Sequence, residues 1–194
     1  MRKIFDVRIL ILILLPVFLY SFYQQSPTGE QIYWAEHKNL TWGDYLAKPD
    51  MKDTNNSALT YYGISCSMKT KGDSISFFVR SIFDKSKSWV KTDDKTDSLL
   101  LHEQGHFDIA EIYSRILKKT LNESHPKKAT IGADFNEFYK SNIANLNAEQ
   151  GLYDEETNHG RIPSKQKEWN EKIKNRLEEH EQFSKDKLTM WLVR

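Results

Sequence analysis

The sequence predicts an α+β fold, in which a small antiparallel sheet precedes an amphipathic helix, further helices and a long charged C-terminal helix. Three observations support this prediction. Two β-rich runs, residues 58–70 and 74–83, flank a Lys-Gly-Asp segment that is typical of a hairpin turn. Residues 98–119 repeat apolar side chains at helical spacing. Residues 164–192 are rich in charge, with apolar residues four positions apart.

The N-terminus predicts export. Residues 1–25 begin with basic side chains and continue into an uncharged apolar run, residues 9–23, which is typical of a signal peptide. The small-residue cleavage signature is poor before Pro27, so an uncleaved membrane anchor is the alternative. Both interpretations place residues 26–194, expected to be a single domain, outside the cytoplasm, because the positive residues stay inside. The domain would be periplasmic or secreted, or tethered to the inner membrane through residues 9–23.

The charge balance and the cysteine content limit the classes of partner and of cross-link that the chain can have. The chain has 194 residues, with 28 Lys and Arg against 27 Asp and Glu, a net charge of +1. This balance provides no basic field that would indicate nucleic acid as a partner. The single cysteine, Cys66, excludes an intrachain disulfide.

The remaining elements follow from local composition. Between the predicted sheet and the helix, Asp97 or Ser98 provides a good N-cap. Before the sheet, the sequence predicts a strand near 31–36, a short turn or helix near 41–46 and a polar loop at 51–57. After the hairpin, residues 86–90 either extend the sheet or lead out of it. After the amphipathic helix, the sequence predicts a loop at 120–132, a helix at 133–149 and a loop at 151–160.

Residues 98–119 contain His102-Glu103-Gln104-Gly105-His106, an H-E-x-x-H pattern. At ~100° per residue, His102 and His106 project about 40° apart, in the middle of the apolar face. Burying two unpaired imidazoles is costly, and a metal ion satisfies both at once. The opposite face is polar, and consists of Gln104, Asp108, Glu111, Arg115, Lys118 and Lys119.

The H-E-x-x-H pattern on a helix is typical of zinc proteases. Three protein ligands leave a fourth position for water, whose pKa zinc lowers toward ~7. Glu103, at the edge of the apolar face, can accept the proton of that water without being a ligand. We therefore expect Zn²⁺ at His102 and His106, with Glu103 as the catalytic base.

The third ligand must come from elsewhere in the chain, because Asp108 and Glu111 lie on the far side of the same helix. His159 is the preferred candidate, since it lies in a turn-rich segment before a glycine. Asp154 and Glu137 are the alternatives. Asp154 could also accept the second N–H of a ligating imidazole.

The chain resembles a family of uncharacterised bacterial exported proteins classed as predicted secreted zinc-dependent proteases. The resemblance covers roughly residues 38–180. It rests on Leu40-Thr41-Trp42-Gly43-Asp44-Tyr45, Ala58-Leu59-Thr60, Ser88-Trp89, LLLHEQGHFDIAEIYSR (residues 99–115) and YDEETNHG (residues 153–160). It implies an extracytoplasmic location, zinc on His102 and His106, Glu103 as the catalytic residue and a role for residues 153–160.

Two functions are compatible with these observations. The first is an exported zinc-dependent hydrolase with a zincin-like fold, a metallopeptidase that cleaves peptide bonds of a protein or peptide substrate. The second is a non-catalytic binding or structural module of the cell envelope that retains the metal-site fold. Glu103 favours the enzyme, because a structural zinc site needs four ligands and no general base.

Overall fold

The computed structural model describes residues 30–36 and 39–192. The predicted signal or anchor segment, residues 1–25 with its apolar run 9–23, lies outside the described residues. Within the described part of the chain, no helix combines the length and apolarity that crossing a membrane requires.

The larger sheet is antiparallel and centres on one long strand. Its four strands are β1 (Gln31–Tyr33), β3 (Tyr62–Lys71), β4 (Ser74–Asp84) and β6 (Lys187–Trp191), while β2 (Ala58–Leu59) and β5 (Trp89–Val90) form a separate pair. β3 and β4 form the predicted hairpin, which turns at Gly72 with φ +62°. β1 and β6 lie one after the other along the opposite edge of β4.

Three helices pack on the sheet and on one another: α1 (Asp97–Glu123), α2 (Ile131–Thr157) and α3 (Pro163–Glu179). α1 begins one residue earlier than predicted. The predicted N-cap, Asp97 or Ser98, is wrong, because the hydroxyl of Thr96 accepts the hydrogen bond from the Leu99 N–H. The prediction of a short helix near 41–46 is confirmed by a 3₁₀ turn at Trp42–Asp44.

The predicted loop at 151–160 is wrong over most of its length, because α2 continues to Thr157. Gly151 indicated a break, yet Tyr153 is fully buried and Thr157 is buried beside it. The packing of these two side chains outweighs the low helix propensity of glycine. The consequence for the site is that Asp154 lies on a helix rather than in a loop.

The predicted C-terminal helix over 164–192 is present as α3 but ends at Glu179. The chain then forms a 3₁₀ turn and β6, which pairs with Ser74–Phe78 of β4. Leu188 and Met190 of β6 pack against the core on alternate positions. This alternation, masked in the sequence by surrounding charge, favours a strand.

The core lies between the inner face of the sheet and α1. Its fully buried side chains from these two elements include Ile75, Phe77, Val79, Ile109, Ala110, Ile112, Leu117 and Leu121.

The polar face of α1 is also largely covered, contrary to a simple amphipathic pattern. Glu111, Arg115 and Lys118 are each no more than 3 % exposed. The Arg115 guanidinium donates to the Glu111 carboxylate at 2.8 Å, and Ser81 donates to the same carboxylate at 2.9 Å. Because these charges pair, the helix can be buried on both faces.

Candidate metal site

His102 and His106 lie one turn apart on α1 and are both buried. Their Nε2 atoms are 3.2 Å apart, with the two rings nearly perpendicular. The helix therefore brings the two imidazoles together, as their spacing predicts.

Asp154, from the last turn of α2, completes a compact cluster. Its Oδ1 atom lies 3.1 Å from Nε2 of His102 and 3.1 Å from Nε2 of His106. Zinc binds imidazole nitrogens at about 2.0–2.1 Å with tetrahedral geometry, which places neighbouring ligand atoms about 3.3 Å apart. The three atoms thus have nearly the spacing of three corners around one zinc ion.

Two glutamines fix the orientation of the imidazoles. Nδ1 of His106 lies 2.5 Å from Oε1 of Gln150, and Nδ1 of His102 lies 3.1 Å from Oε1 of Gln166. The amide nitrogen of Gln150 donates to the His106 carbonyl at 2.9 Å, and that of Gln166 donates to the Tyr153 hydroxyl at 2.7 Å. With the amides oriented in this way, each Nδ1 donates its proton to a glutamine and each Nε2 faces Asp154. Nε2 carries a lone pair when the imidazole is neutral and donates a proton to Asp154 when the imidazole is protonated.

The protonation states of Asp154 and His106 depend on each other. Burial alone would raise the pKa of Asp154, but hydrogen bonds from His102 and His106 hold that pKa far below its usual range. Burial alone would lower the pKa of His106, yet Asp154 and Glu103 raise it overall. Three acceptor atoms this close are stable together only with a proton or a cation between them.

His159 lies at the margin of this cluster. Asn158, His159 and Gly160 all have positive φ (48°, 53° and 76°), so the chain turns back sharply after α2. Nδ1 of His159 lies 3.4 Å from Oδ1 of Asp154, and its side chain is 37 % exposed. Ligand atoms of His102, Asp154 and His159 all lie within 4.8 Å of one another. The residue that the sequence favours as third ligand is therefore near the cluster, but Asp154 contacts both imidazoles.

Glu103 lies beside the cluster and is 4 % exposed. It lines a cleft of about 820 Å³ together with His102, His106, Asp154 and His159. The opposite wall comes from the chain around β2, and includes Tyr62, whose ring is parallel to that of His106 at 6.2 Å. Burial raises the pKa of Tyr62 to about 12, and Asp154 contributes. The cleft thus combines three imidazoles, the carboxylates of Glu103 and Asp154, and a neutral phenol.

The other candidate residues lie away from the cleft. Glu137 is exposed on α2, about 25 Å along the helix axis from Asp154 at ~1.5 Å per residue. Asp108 accepts a hydrogen bond from Trp34 Nε1 at 2.7 Å, and Glu111 pairs with Arg115, on the far side of α1.

Gln150 and Gln166 are not among the candidates that the sequence offers, and Asp154, an alternative to His159 there, contacts both His102 and His106 in the structure. Gln150, Asp154 and Thr157 recur at intervals of four and three, which places them on one face of α2. That signal becomes visible only when the helix is extended to Thr157.

Over the part of the chain that the structure describes, fold and site define a mixed α/β protein with small antiparallel sheets, three helices and a histidine–aspartate cluster in a cleft. Residues 83–160 match the model of a family described as bacterial proteins of unknown function (DUF922). The matched segment contains all of α1 and α2, and with them Glu103, Asp154 and the three cleft histidines. No curated protein and no solved structure matches the chain.

Proposed function

We propose that this protein is an exported zinc-dependent hydrolase with a zincin-like fold, and that it acts as a metallopeptidase. One observation carries the proposal. The Nε2 atoms of His102 and His106 and Oδ1 of Asp154 lie 3.1–3.2 Å from one another, while glutamines hold both Nδ1 atoms.

His102, His106 and Asp154 would hold the metal. Two imidazoles and one carboxylate suit zinc, and three protein ligands leave a fourth position for water or substrate. When bound, zinc supplies a Lewis acid that lowers the pKa of a water molecule and polarises a carbonyl group. Gln150 and Gln166 keep the imidazoles in the tautomer that directs Nε2 to the metal.

Glu103 is the general base of the proposed reaction. Its carboxylate lies in the cleft with the metal ligands but is on the helix position between them, so it can face a water molecule without binding the metal. It would accept the proton of the attacking water and later transfer it to the leaving amine. Tyr153 takes no part in this, because its hydroxyl donates to the His102 carbonyl at 3.0 Å and accepts from Gln166.

The cleft is open enough for a protein or peptide substrate. It is bordered by the loop before β2, by the histidines of α1 and by the turn after α2, and Arg161 of that turn donates to the Asn55 carbonyl of the loop at 3.0 Å. A cleft of about 820 Å³ with polar and apolar side chains in its walls has room for several residues of a polypeptide.

A second function has one specific observation in its favour. Because Nδ1 of His159 lies 3.4 Å from Oδ1 of Asp154, a small rotation would make it a fourth ligand. Four protein ligands close a zinc site and make it structural. The chain would then be a non-catalytic envelope module, and Glu103 would have no proton to transfer.

The test is hydrolysis by the full chain, purified without a histidine tag and loaded with zinc. Unfolded casein serves as substrate, and mass spectrometry identifies the products. We expect cleavage by the wild type, and about 10²–10⁴-fold less by Glu103→Gln with its zinc retained. Glu137→Gln, exposed on α2, is the matched control and should cleave normally. A zinc-loaded wild type that leaves casein intact, or an equally active Glu103→Gln, would contradict the proposal.

A further inference from the structure

A second cavity, of about 650 Å³, lies farther along β3, beyond the cleft. One wall consists of β3 side chains and the other of the first turns of α2. We call it the β3–α2 groove, and its principal lining residues are Ile64, Cys66, Met68, Gly132, Phe135 and Tyr139.

The lining of the β3–α2 groove is mostly apolar, and the exposed Asn136 contributes an amide. Ile64 and Phe135 are buried and continue into the core, while Cys66, Met68 and Tyr139 are partly buried against it. Among the residues that the structure describes, none with a charged side chain lines the groove. The groove therefore suits uncharged, apolar side chains.

The strand beside the groove lies at the edge of the sheet. Among residues 30–36 and 39–192, β3 pairs with β4 alone, so its other edge has no strand partner within these ranges. On the edge of β4 away from β3, the Val79 N–H donates to the Asp186 carbonyl and the Ser81 carbonyl accepts from the Trp34 N–H. Val79 and Ser81 lie opposite Cys66 and Ile64.

Residues opposite each other in such a pair both direct their backbone groups away from the shared ladder. Cys66 and Ile64 consequently direct their N–H and C=O groups to the free edge of β3, and so does Met68 by the period of two. The Tyr139 hydroxyl donates to the Ile64 carbonyl at 3.4 Å, which is long for a hydrogen bond. A row of backbone donors and acceptors thus borders an apolar groove.

We propose that the β3–α2 groove binds an extended, uncharged peptide segment as an added strand on β3. Every second side chain of that segment would be apolar and would enter the groove, while its backbone pairs with the free edge.

Continuity along β3 identifies the occupant as part of the same polypeptide that enters the cleft. Tyr62, the first residue of β3, lines the cleft, and Ile64, two residues later, lines the groove. From Tyr62 to Met68 the strand spans about 20 Å at ~3.4 Å per residue. This identification rests on the proposed peptidase function, whereas binding of a peptide in the groove does not.

The substrates would then be extended polypeptides that carry an apolar segment several residues from the scissile bond. Short peptides that fill only the cleft should be cleaved with a higher KM. The expected difference lies in binding rather than in the chemical step, because the groove contains no residue of the metal cluster.

The experiment measures binding by fluorescence anisotropy to the full chain carrying Glu103→Gln, which prevents turnover. The probe is a labelled peptide with valine at alternate positions between serines and threonines, and a second peptide replaces the valines with lysine. Gly132→Phe should fill the groove, since a Cβ at Gly132 meets nothing within 4 Å. Ala144→Phe, exposed on the same helix, is the control.

We expect Gly132→Phe to weaken binding of the valine peptide at least about tenfold and Ala144→Phe to leave it unchanged. The valine peptide should also slow alkylation of Cys66, the single cysteine of the chain. Removing the metal with a chelator should leave this binding intact, so that failure of the peptidase proposal and failure of the groove are separable.

Three results would overturn the proposal. The first is that Gly132→Phe and Ala144→Phe bind the valine peptide with equal affinity. The second is that the protein binds the lysine peptide as tightly as the valine peptide. The third is that light scattering shows a dimer which Gly132→Phe dissociates. The last result would assign the β3–α2 groove to a second copy of the chain. Groove-dependent binding without hydrolysis by the zinc-loaded wild type would support the groove and contradict the peptidase proposal.

Discussion

At the scale of single residues, two glycines allow the close packing around the histidines. A Cβ on Gly105 would lie 2.3 Å from the Tyr153 hydroxyl, and one on Gly160 would lie 2.8 Å from Cβ of His102. Both distances are shorter than the van der Waals contact distance of the atoms involved. The glycine inside the H-E-x-x-H pattern therefore serves the packing of α1 on α2, which positions Asp154.

Gly105→Ala should lower the free energy of unfolding by about 1–3 kcal/mol, because the added methyl group displaces Tyr153 from the His102 carbonyl. Urea denaturation followed by tryptophan fluorescence measures the change. Gly151→Ala is the matched control, since a Cβ there meets nothing within 4 Å, and should stabilise α2 by about 0.5–1 kcal/mol. Equal effects of the two substitutions would show that Gly105 is not tightly packed.

Asp108 makes stability depend on pH. Burial raises the pKa of its carboxyl from the ordinary value of 3.8 to about 6, despite hydrogen bonds from Trp34 and Gln104. The folded state thus binds the Asp108 proton more tightly than the unfolded state does. Ionising Asp108 therefore costs stability as the pH rises from about 4 to about 6.

Asp108→Asn should stabilise the protein by about 1–3 kcal/mol at neutral pH and by much less at pH ~4, because the amide oxygen can still accept both hydrogen bonds. Thermal unfolding at the two pH values measures this. Glu137→Gln, an exposed carboxyl on α2, is the control and should show no such dependence. A pH-independent effect of Asp108→Asn would contradict the assignment.

At the scale of elements, local sequence patterns correctly predicted the helices and strands whose contacts are between residues close together in the sequence. The β3–β4 hairpin follows from alternation and a Lys-Gly-Asp turn, and α1 follows from its 3.6-residue period. The patterns failed where packing is non-local. β6 pairs with β4 more than a hundred residues away, and the last turn of α2 is held by the burial of Tyr153 against α1 and α3.

The same limit explains the ranking of site residues. His102, Glu103 and His106 lie within one turn and their convergence follows from helix geometry alone. Asp154 and Gln150 reach the cluster because α2 packs antiparallel to α1, so that the last turns of α2 lie beside the histidines. No local sequence pattern specifies this packing. The sequence prediction of His159 as third ligand stays a prediction.

The polar face of α1 connects this helix to the C-terminal elements. The Arg115 guanidinium donates to Glu111, to the Leu177 carbonyl at 2.6 Å and to Glu181 at 2.7 Å. Burial lowers the pKa of Lys118, which donates to the Lys185 carbonyl at 3.1 Å. This network ties α1 to the end of α3.

Arg115→Met should lower the free energy of unfolding by roughly 3 kcal/mol, because it removes the cation that donates directly to the buried Glu111 carboxylate and leaves only the more distant charge of Lys118. Lys140→Met, at an exposed position of α2, should change stability little. Urea denaturation compares them. Combining Arg115→Met with Glu111→Leu should recover part of the loss, and failure to recover any would argue against a coupled pair.

At the scale of the whole molecule, the cleft forms where the two sheets and the three helices meet. β2 and the start of β3 supply one wall, α1 supplies the histidines, the end of α2 supplies Asp154, and α3 supplies Gln166 behind His102. The fold thus places side chains from each of three helices around a single point. The proposed metal would bind these elements together as well as supply the chemistry.

The zinc content of the untagged full chain, measured by elemental analysis beside Asp154→Ala and His159→Ala, is the decisive test of the metal site. We expect about one zinc per chain in the wild type and in His159→Ala, and loss of zinc in Asp154→Ala. Loss in both variants would indicate a closed four-ligand site and favour the non-catalytic module. Loss in His159→Ala alone would make His159 the third ligand, and a wild type without zinc after reconstitution would contradict the metal site itself.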